Sequence, residues 1–342
     1  MKDMKRRALR VLSKPGLVLA YAATACMVTG PPAAVQAQEY LETGRANVAI
    51  VRNPFMASES ILAEGLVDSL TALGATIGLH ETFDLTEEDQ AYSGWAREAL
   101  VSRHLADLIS ANGKNEYFTV ALLGSCSDLP GVLSGLQNMG PGQEEQVYHL
   151  AANIPHRVGL IYLDAHADVN TPETTLSGMY GGMDVALATG LYNDNNRLIT
   201  GLDPPLPPSY VLLADVRDTD PREQELIDRM GFEVLSTTDI KTLSENVTAT
   251  MDRLSSLTDV IYVHIDMDVL APEEVRGHGL TAPKGPTSYE LAAYLETVFT
   301  YPKATAIGIA STPYGDRDPQ HISRQAAVRL IQGAIRGVNK RK

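Results

Sequence analysis

Short apolar segments rich in β-branched residues recur along the chain from about residue 45 onward. Each is four to six residues long and lacks regular polar alternation; they occupy residues 47–51, 118–123, 158–163, 210–213, 260–265 and 305–309. Uniformly apolar runs of this length are typical of strands that are buried on both faces of a parallel sheet. The pattern therefore predicts six strands of one buried sheet.

Longer segments with a helical repeat of apolar positions separate these runs. They occupy residues 58–73, 94–109, 221–230, 240–257, 287–299 and 321–338. Strands that alternate with helices predict one α/β domain in which helices cover both faces of the sheet. In such sheets the functional groups gather where strands end, and the polar motifs of this chain occur at those positions.

The first 37 residues have the pattern of a secretory signal segment. Basic residues crowd positions 1–14, a short apolar stretch covers 16–30, and Val35-Gln36-Ala37 resembles a cleavage site. Because the apolar stretch is too short to cross a bilayer comfortably, we expect no integral membrane span after processing. We predict a targeting segment at 1–37, a linker at 38–46, and export to the periplasm or the medium, with the cytoplasm as the alternative.

The chain is acidic, with 42 acidic and 28 basic residues and a formal net charge of −14. Such a surface repels the phosphates of nucleic acids and of anionic membranes, so neither is an expected partner. The two cysteines, Cys26 and Cys126, do not make a disulfide framework. Cys126 is then either a buried apolar side chain or a ligand.

Acidic residues and a histidine alternate directly after two of the predicted strands. Asp164, His166 and Asp168 follow the third apolar run, and Asp266 and Asp268 follow the fifth. In extended backbone, residues two apart point to the same side, so each group can face one site. Carboxylate and imidazole bind divalent metals, whereas buried carboxylates without a cation are costly. The pattern predicts a site for two divalent ions, which together can activate a water molecule.

The segments D-A-H-A-D-V-N-T-P-E-T-T-L-S-G and D-M-D-V-L-A-P resemble signature motifs of the ureohydrolase superfamily, which contains the arginases and agmatinases. The resemblance covers residues 47–338, which we take as the domain. It implies a three-layer α/β/α fold with a mostly parallel central sheet, and a homo-oligomer, either a trimer or a hexamer. It also implies two divalent ions per chain, with Mn²⁺ as the expected metal, and hydrolysis of a guanidino compound with Asp168 as the proton acceptor.

A third motif of the family, Gly-Gly-Asp-His-Ser, resembles residues 123–127 of this chain, which read L-G-S-C-S. Cys126 thus occupies the position of a histidine ligand. The metal ligands implied by the resemblance are Cys126, Asp164, His166, Asp168, Asp266 and Asp268. Because a thiolate binds transition metals well, we interpret Cys126 as a ligand. The alternative is a buried thiol in a site that lacks one ligand.

The resemblance also implies binding of an α-amino acid. In the arginine-specific members an Asn and a Ser hold the substrate carboxylate, and they match Asn170 and Ser177. An Asp and a Glu hold the α-amino group, and they match Asp220 and Glu223. The second pair is also an ordinary helix start, where the helix dipole favours acidic residues.

Two family side chains that act on the guanidinium group are missing. The proton-shuttling histidine falls on Gly181, and the glutamate that binds the guanidinium falls on Ala310. A Cys126 thiolate would add a fifth negative charge beside the metals and raise the pKa of their water. These changes suit a less basic substrate. We predict a hydrolase of a guanidino or N-hydroxyguanidino amino acid that releases urea or hydroxyurea and an amine; the alternative is a catalytically inactive homologue that binds metal or ligand.

Two further histidines lie near the motifs. His264 precedes the second acidic pair, and His278 lies in the segment R-G-H-G. We expect His264 to be a core histidine that supports the site. We expect His278 to be an exposed loop residue; the alternative is that it replaces the missing proton shuttle.

Overall fold

The computed structural model describes residues 46–113, 117–139 and 155–341. The predicted targeting segment and almost all of the predicted linker lie outside these residues. A sheet of eight parallel strands forms the centre, in the order β2-β1-β3-β8-β7-β4-β5-β6. The strands are β1 Asn47–Arg52, β2 Thr76–Glu81, β3 Phe118–Leu122, β4 Val158–Leu163, β5 Val211–Ala214, β6 Glu233–Leu235, β7 Val260–Asp266 and β8 Ala304–Ala310.

All six predicted strands are confirmed, and two further strands form the edges of the sheet. Every residue of β3, β4 and β7 is buried, as their uniformly apolar sequences require. The edge strand β2 instead alternates between exposed and half-buried residues, and β6 has three residues. An edge strand needs no apolar residues on both faces, so these two gave no comparable signal.

Twelve α-helices occur in the described residues. They are α1 Met56–Leu62, α2 Leu66–Ala72, α3 Glu87–Ala91, α4 Gly94–Gly113, α5 Leu129–Gln137, α6 Asp184–Ala188, α7 Asp194–Thr200, α8 Pro221–Met230, α9 Thr237–Thr242, α10 Glu245–Leu257, α11 Ser288–Val298 and α12 Ile322–Val338. Two segments that we predicted as single helices are split, because Gly65 and Leu243 adopt left-handed backbone with φ of 77° and 50°.

Hydrophobic layers on both faces of the sheet join it to the helices. One layer contains Ile61 of α1, Met251 of α10 and Leu291 of α11. The opposite layer contains Leu105 of α4 and Leu133 of α5. The predicted three-layer α/β/α fold is therefore confirmed. No helix of the described residues is long and apolar enough to cross a membrane.

Because the strands are parallel, their carboxyl ends meet at one edge of the sheet. The chain leaves β3 through the 3-10 turn Cys126–Asp128, and it leaves β7 through the 3-10 turn Met267–Val269. The strands β3, β8, β7, β4 and β5 are neighbours. This arrangement brings the predicted site residues to one edge.

Candidate active site

Tight turns, rather than extended backbone, bring the alternating acids together. Asp164 follows β4 and Asp266 ends β7, but the residues after each are not in a strand. The backbone N–H of His166 donates to Asp164 Oδ1 at 2.7 Å, and that of Asp268 donates to Asp266 Oδ1 at 2.9 Å. In such turns an aspartate binds the backbone two residues on. The predicted convergence is observed, while its predicted cause, strand alternation, is wrong.

Asp168 closes the first motif in a strained conformation. Its φ of 50° is left-handed, which is uncommon for a residue other than glycine. The buried Tyr162 hydroxyl donates to Asp168 Oδ2. The backbone oxygen of Asp168 accepts hydrogen bonds from the N–H groups of Val185 and Ala186 at 3.0 and 3.2 Å. These bonds from β4 and α6 hold a backbone shape that is often found at functional sites.

The Cys126 sulphur lies among the acids. The thiol is 3% exposed and donates to Asp266 Oδ2 at 2.8 Å. On its other side lies His264 Nε2 at 3.4 Å, and the His264 ring binds the Tyr262 hydroxyl at 2.9 Å and stacks on Tyr162. Burial lowers the pKa of His264 to about 3, so this ring is neutral. The expectation of a core histidine beside the site is confirmed.

The structure brings all the predicted metal ligands together in overlapping groups whose ligand atoms lie within 4.8 Å of one another. The groups are Cys126, Asp164 and Asp168; Asp164, His166 and Asp268; and Asp266, Asp268 and His278. Two divalent ions fit this mixed set of carboxylate, imidazole and sulphur donors. We call the four aspartates, Asp164, Asp168, Asp266 and Asp268, the acid cluster.

The expectation that His278 is an exposed loop residue is wrong. Its side chain is 11% exposed, and its Nε2 lies 3.5 Å from Asp266 Oδ1. The Leu280 N–H donates to His278 Nδ1 at 3.3 Å. The loop after β7 folds back over the site, a return that the local sequence does not indicate.

The negative charges of the acid cluster are unfavourable without bound cations. Burial raises the pKa of Asp164 well above its usual range, and the neighbouring charges of Asp268 and Asp168 raise it further. Burial also raises the pKa of Asp168 and of Asp266. Burial opposes protonation of His166, but the hydrogen bonds that its ring donates to Asp164 and Asp268 prevail and raise its pKa to about 11. The protein alone therefore does not stabilise four ionised carboxylates, whereas bound divalent cations would.

Three of the four predicted substrate-binding residues, Asn170, Asp220 and Glu223, meet at the start of α8. Glu223 Oε1 accepts from the Val169 N–H at 3.0 Å, and its Oε2 accepts from the Asp220 N–H at 3.3 Å. The Asn170 amide donates to Asp220 Oδ2 at 3.4 Å. Ser177 is exposed and lines the same cavity as the other three. We call Asn170, Ser177, Asp220 and Glu223 the cap group.

One cavity of about 550 Å³ joins the cap group to the acid cluster and Cys126. Gly181 lines it, and a side chain at Gly181 would meet no atom within 4 Å of its Cβ. Ala310 is fully buried and pairs with Asp266 across β7 and β8. The cavity is thus polar at both ends and has no side chain at Gly181, while the buried Ala310 is not among the residues that line it.

Two residues of the site were not identified from the sequence, and a third, His278, was named but placed on the surface. Tyr162 lies within an apolar run, and Ser311 follows β8 in a left-handed conformation with φ of 59°. Ser311 lines the cavity, with its hydroxyl oxygen 4.0 Å from the Cys126 sulphur. The position of Ser311 at the carboxyl end of a central strand was the available signal.

Comparison with known proteins points to one family. The profile of the arginase family matches residues 145–335. An arginase of Agrobacterium fabrum is 27% identical over 264 residues, which cover 75% of this chain and 77% of that protein. An N(omega)-hydroxy-L-arginine amidinohydrolase of Streptomyces lavendulae is 28% identical over 254 residues, covering 72% and 81%. The structure of Bacillus caldovelox arginase aligns with a TM-score of 0.70 at 23% identity, covering 85% and 98%.

Proposed function

The chain belongs to the arginase family of hydrolases, and we propose that it hydrolyses the guanidino-type group of an N-hydroxyguanidino amino acid. Water adds to the guanidino carbon, and the bond from that carbon to the nitrogen of the amino acid side chain breaks. The products are hydroxyurea and an amine. The same reaction on an unmodified guanidino group would give urea.

One observation carries this proposal: the cavity combines a full cap group with an altered reaction end. Asn170, Asp220 and Glu223 line it together, as recognition of an α-amino acid would need. At the other end Cys126 lies among the acids, and Ala310 has no carboxylate to offer a cationic guanidinium. An N-hydroxyguanidine is less basic than a guanidine, so it depends less on that carboxylate. The similarity to a hydroxyarginine amidinohydrolase supports the same assignment.

Two divalent ions would be held by Cys126 and the acid cluster together with His166. Mn²⁺ is the metal we expect from the family, and the sulphur would also suit a softer transition metal. When bound, two such metal ions make water a competent nucleophile near neutral pH. The trimer or hexamer and the export of the chain stay predictions.

The protein's own side chains would position the substrate and handle protons. We assign the substrate carboxylate to Asn170 and Ser177, and the α-amino group to Asp220 and Glu223. We assign acceptance of the proton from water to Asp168. The Tyr162 hydroxyl donates a hydrogen bond to Oδ2 of Asp168, so it orients this carboxylate without binding Oδ1.

Release of the amino acid product tests the proposal. We expect the metal-loaded protein to release ornithine from Nω-hydroxy-L-arginine with a kcat/KM at least about tenfold above that for L-arginine, a difference of about 1.4 kcal/mol. Faster turnover of L-arginine would contradict the substrate assignment. The absence of turnover of both, with two ions bound per chain, would favour the inactive homologue.

A further inference from the structure

A second cavity of about 210 Å³ lies beside the first and shares His278 and Ser311 with it. We call it the side cavity. Its other walls come from the segments that follow β3, β7 and β8, including Gly124, Gly279 and Thr312. The mechanism proposed above does not use it.

The order of the strands places the side cavity opposite the cap group. The cap group follows β4 and β5, whereas the side cavity lies beyond the ends of β3, β7 and β8. The acid cluster and Cys126 lie between the two, at the ends of β3, β4 and β7. A substrate that is anchored by its amino acid end, with its reacting carbon at the acid cluster, would direct any substituent beyond that carbon towards the side cavity.

The polar groups of the side cavity indicate what such a substituent would be. Thr312 is 2% exposed, and its hydroxyl has no hydrogen-bond partner among the residues that the structure describes. A buried hydroxyl without a partner is costly and is commonly satisfied by a bound group. Arg317, an exposed residue, also lines this cavity. Its guanidinium packs over the Tyr314 ring at 5.4 Å from the ring centroid and forms no ion pair with any described residue. A hydroxyl donor and an unpaired cation together suit a carboxylate.

The wall of the side cavity is open at Gly279, because a Cβ built on this exposed residue would meet no atom within 4 Å. His278 and Ser311, which both cavities share, are themselves polar and can border a polar chain passing between them.

We propose that the side cavity binds a carboxylate carried by the distal guanidino nitrogen of the substrate. This inference rests on the proposed function and extends its substrate class to guanidino amino acids whose distal nitrogen carries a carboxylate chain. Water oxygen bonds to the guanidino carbon, and the bond to the side-chain nitrogen breaks. The electron pair and a proton go to that nitrogen, so the products are ornithine and an N-carboxyalkylurea.

Two synthetic substrates of similar size test the charge preference. Nω-(carboxymethyl)-L-arginine carries the carboxylate, and Nω-propyl-L-arginine carries a neutral chain; both release ornithine. We expect the metal-loaded protein to favour the carboxymethyl compound at least about tenfold in kcat/KM, as a charge-assisted hydrogen bond would give. Arg317→Gln should lower that preference about tenfold. Arg276→Gln, which changes an exposed arginine of the neighbouring loop that lines neither cavity, is the matched control and should keep it.

Filling the side cavity gives a second, independent arm. Gly279→Leu should lower kcat/KM for both substituted compounds relative to Nω-hydroxy-L-arginine, and Gly279→Ala should lower it much less. Equal discrimination in Arg317→Gln and Arg276→Gln, or no discrimination by the unmodified protein, would overturn the inference while turnover of Nω-hydroxy-L-arginine leaves the proposed function standing.

Direct binding decides the matter if no substrate is turned over. Ureidoacetate, the product expected from the carboxymethyl compound, is titrated calorimetrically into the metal-loaded protein. We expect binding that weakens about tenfold in Arg317→Gln and is unchanged in Arg276→Gln. Absence of binding, or equal binding by both variants, would overturn the inference. Lack of ornithine release from every substrate counts against the proposed function instead.

Discussion

The two ends of the active-site cavity differ in how they are built. At the cap group, Glu223 accepts hydrogen bonds from the N–H groups of Val169 and Asp220, so a residue that faces the cavity also fixes the start of α8. The opposite end of the cavity, which we call the metal end, contains the acid cluster and Cys126. There Cys126 follows β3 and Ala310 ends β8, and neither belongs to a helix start of this kind. By the sequence resemblance, the cap group keeps all four residue types of the arginine-specific members, whereas the metal end keeps its acid cluster and differs at Cys126 and Ala310. The comparison teaches that a substitution at Glu223 would change both the cavity and the start of α8, whereas one at Ala310 would change a single side chain.

Removing one carboxylate of the acid cluster should have the largest effect. Asp164 is common to two of the ligand groups, so Asp164→Asn should reduce metal content from two ions per chain to one or none. We expect turnover to fall about a thousandfold or more, because the loss of a metal ion removes the positive charge that activates water. Metal analysis and ornithine release measure both effects.

Asp68→Asn, a change at an exposed residue of α2, is the control for Asp164→Asn and should leave two ions bound. Retention of two ions and of turnover by Asp164→Asn would show that the acid cluster is not the metal site.

Changing the sulphur should have an intermediate effect. Cys126→Ser replaces a strong ligand with a weak one and should release the ion held by Cys126, Asp164 and Asp168, leaving about one ion per chain. Cys126→His is the matched variant: it restores the residue type of the family and should keep two ions. We also expect Cys126→His to raise kcat/KM for L-arginine relative to kcat/KM for Nω-hydroxy-L-arginine. Two tightly bound ions in Cys126→Ser would identify Cys126 as a buried thiol only.

A change at the cap group should have the smallest effect. Asp220→Asn removes a negative charge from the position assigned to the α-amino group but retains an oxygen for the Leu176 N–H, which now donates to Asp220 Oδ2 at 3.3 Å. We expect KM to rise about tenfold with little change in kcat, since a binding contact alone is weakened. Steady-state kinetics with the same substrate lacking its α-amino group provides the control, where the KM should not change between the two proteins.

The central sheet was predictable because burial on both faces leaves a clear mark in sequence. The runs that became β3, β4 and β7 contain almost no polar residues, and each is fully buried. The edge strands β2 and β6 have no such requirement and were missed. Helices broken by one left-handed residue, as at Leu243, were predicted as continuous, because a local backbone angle barely disturbs the apolar repeat.

The site was predictable where chemistry is local and not where it depends on a returning loop. Asp164, His166 and Asp168 occur within five residues, so their convergence followed from one motif, although turns and not a strand produce it. His278 lies twelve residues after Asp266, and only the path of the intervening chain brings the two within 3.5 Å. No sequence spacing encodes that path.

The neutral His264 ring has a consequence for how metal reaches the protein. It lies against Cys126 and is stacked with the Tyr162 ring at 5.1 Å between centroids, and neither ring is exposed. The side of Cys126 that faces away from the cavity is therefore uncharged and closed to solvent. Metal ions would therefore reach Cys126 only from its cavity side, so we expect an amino acid bound in that cavity to slow both the loading and the chelation of metal.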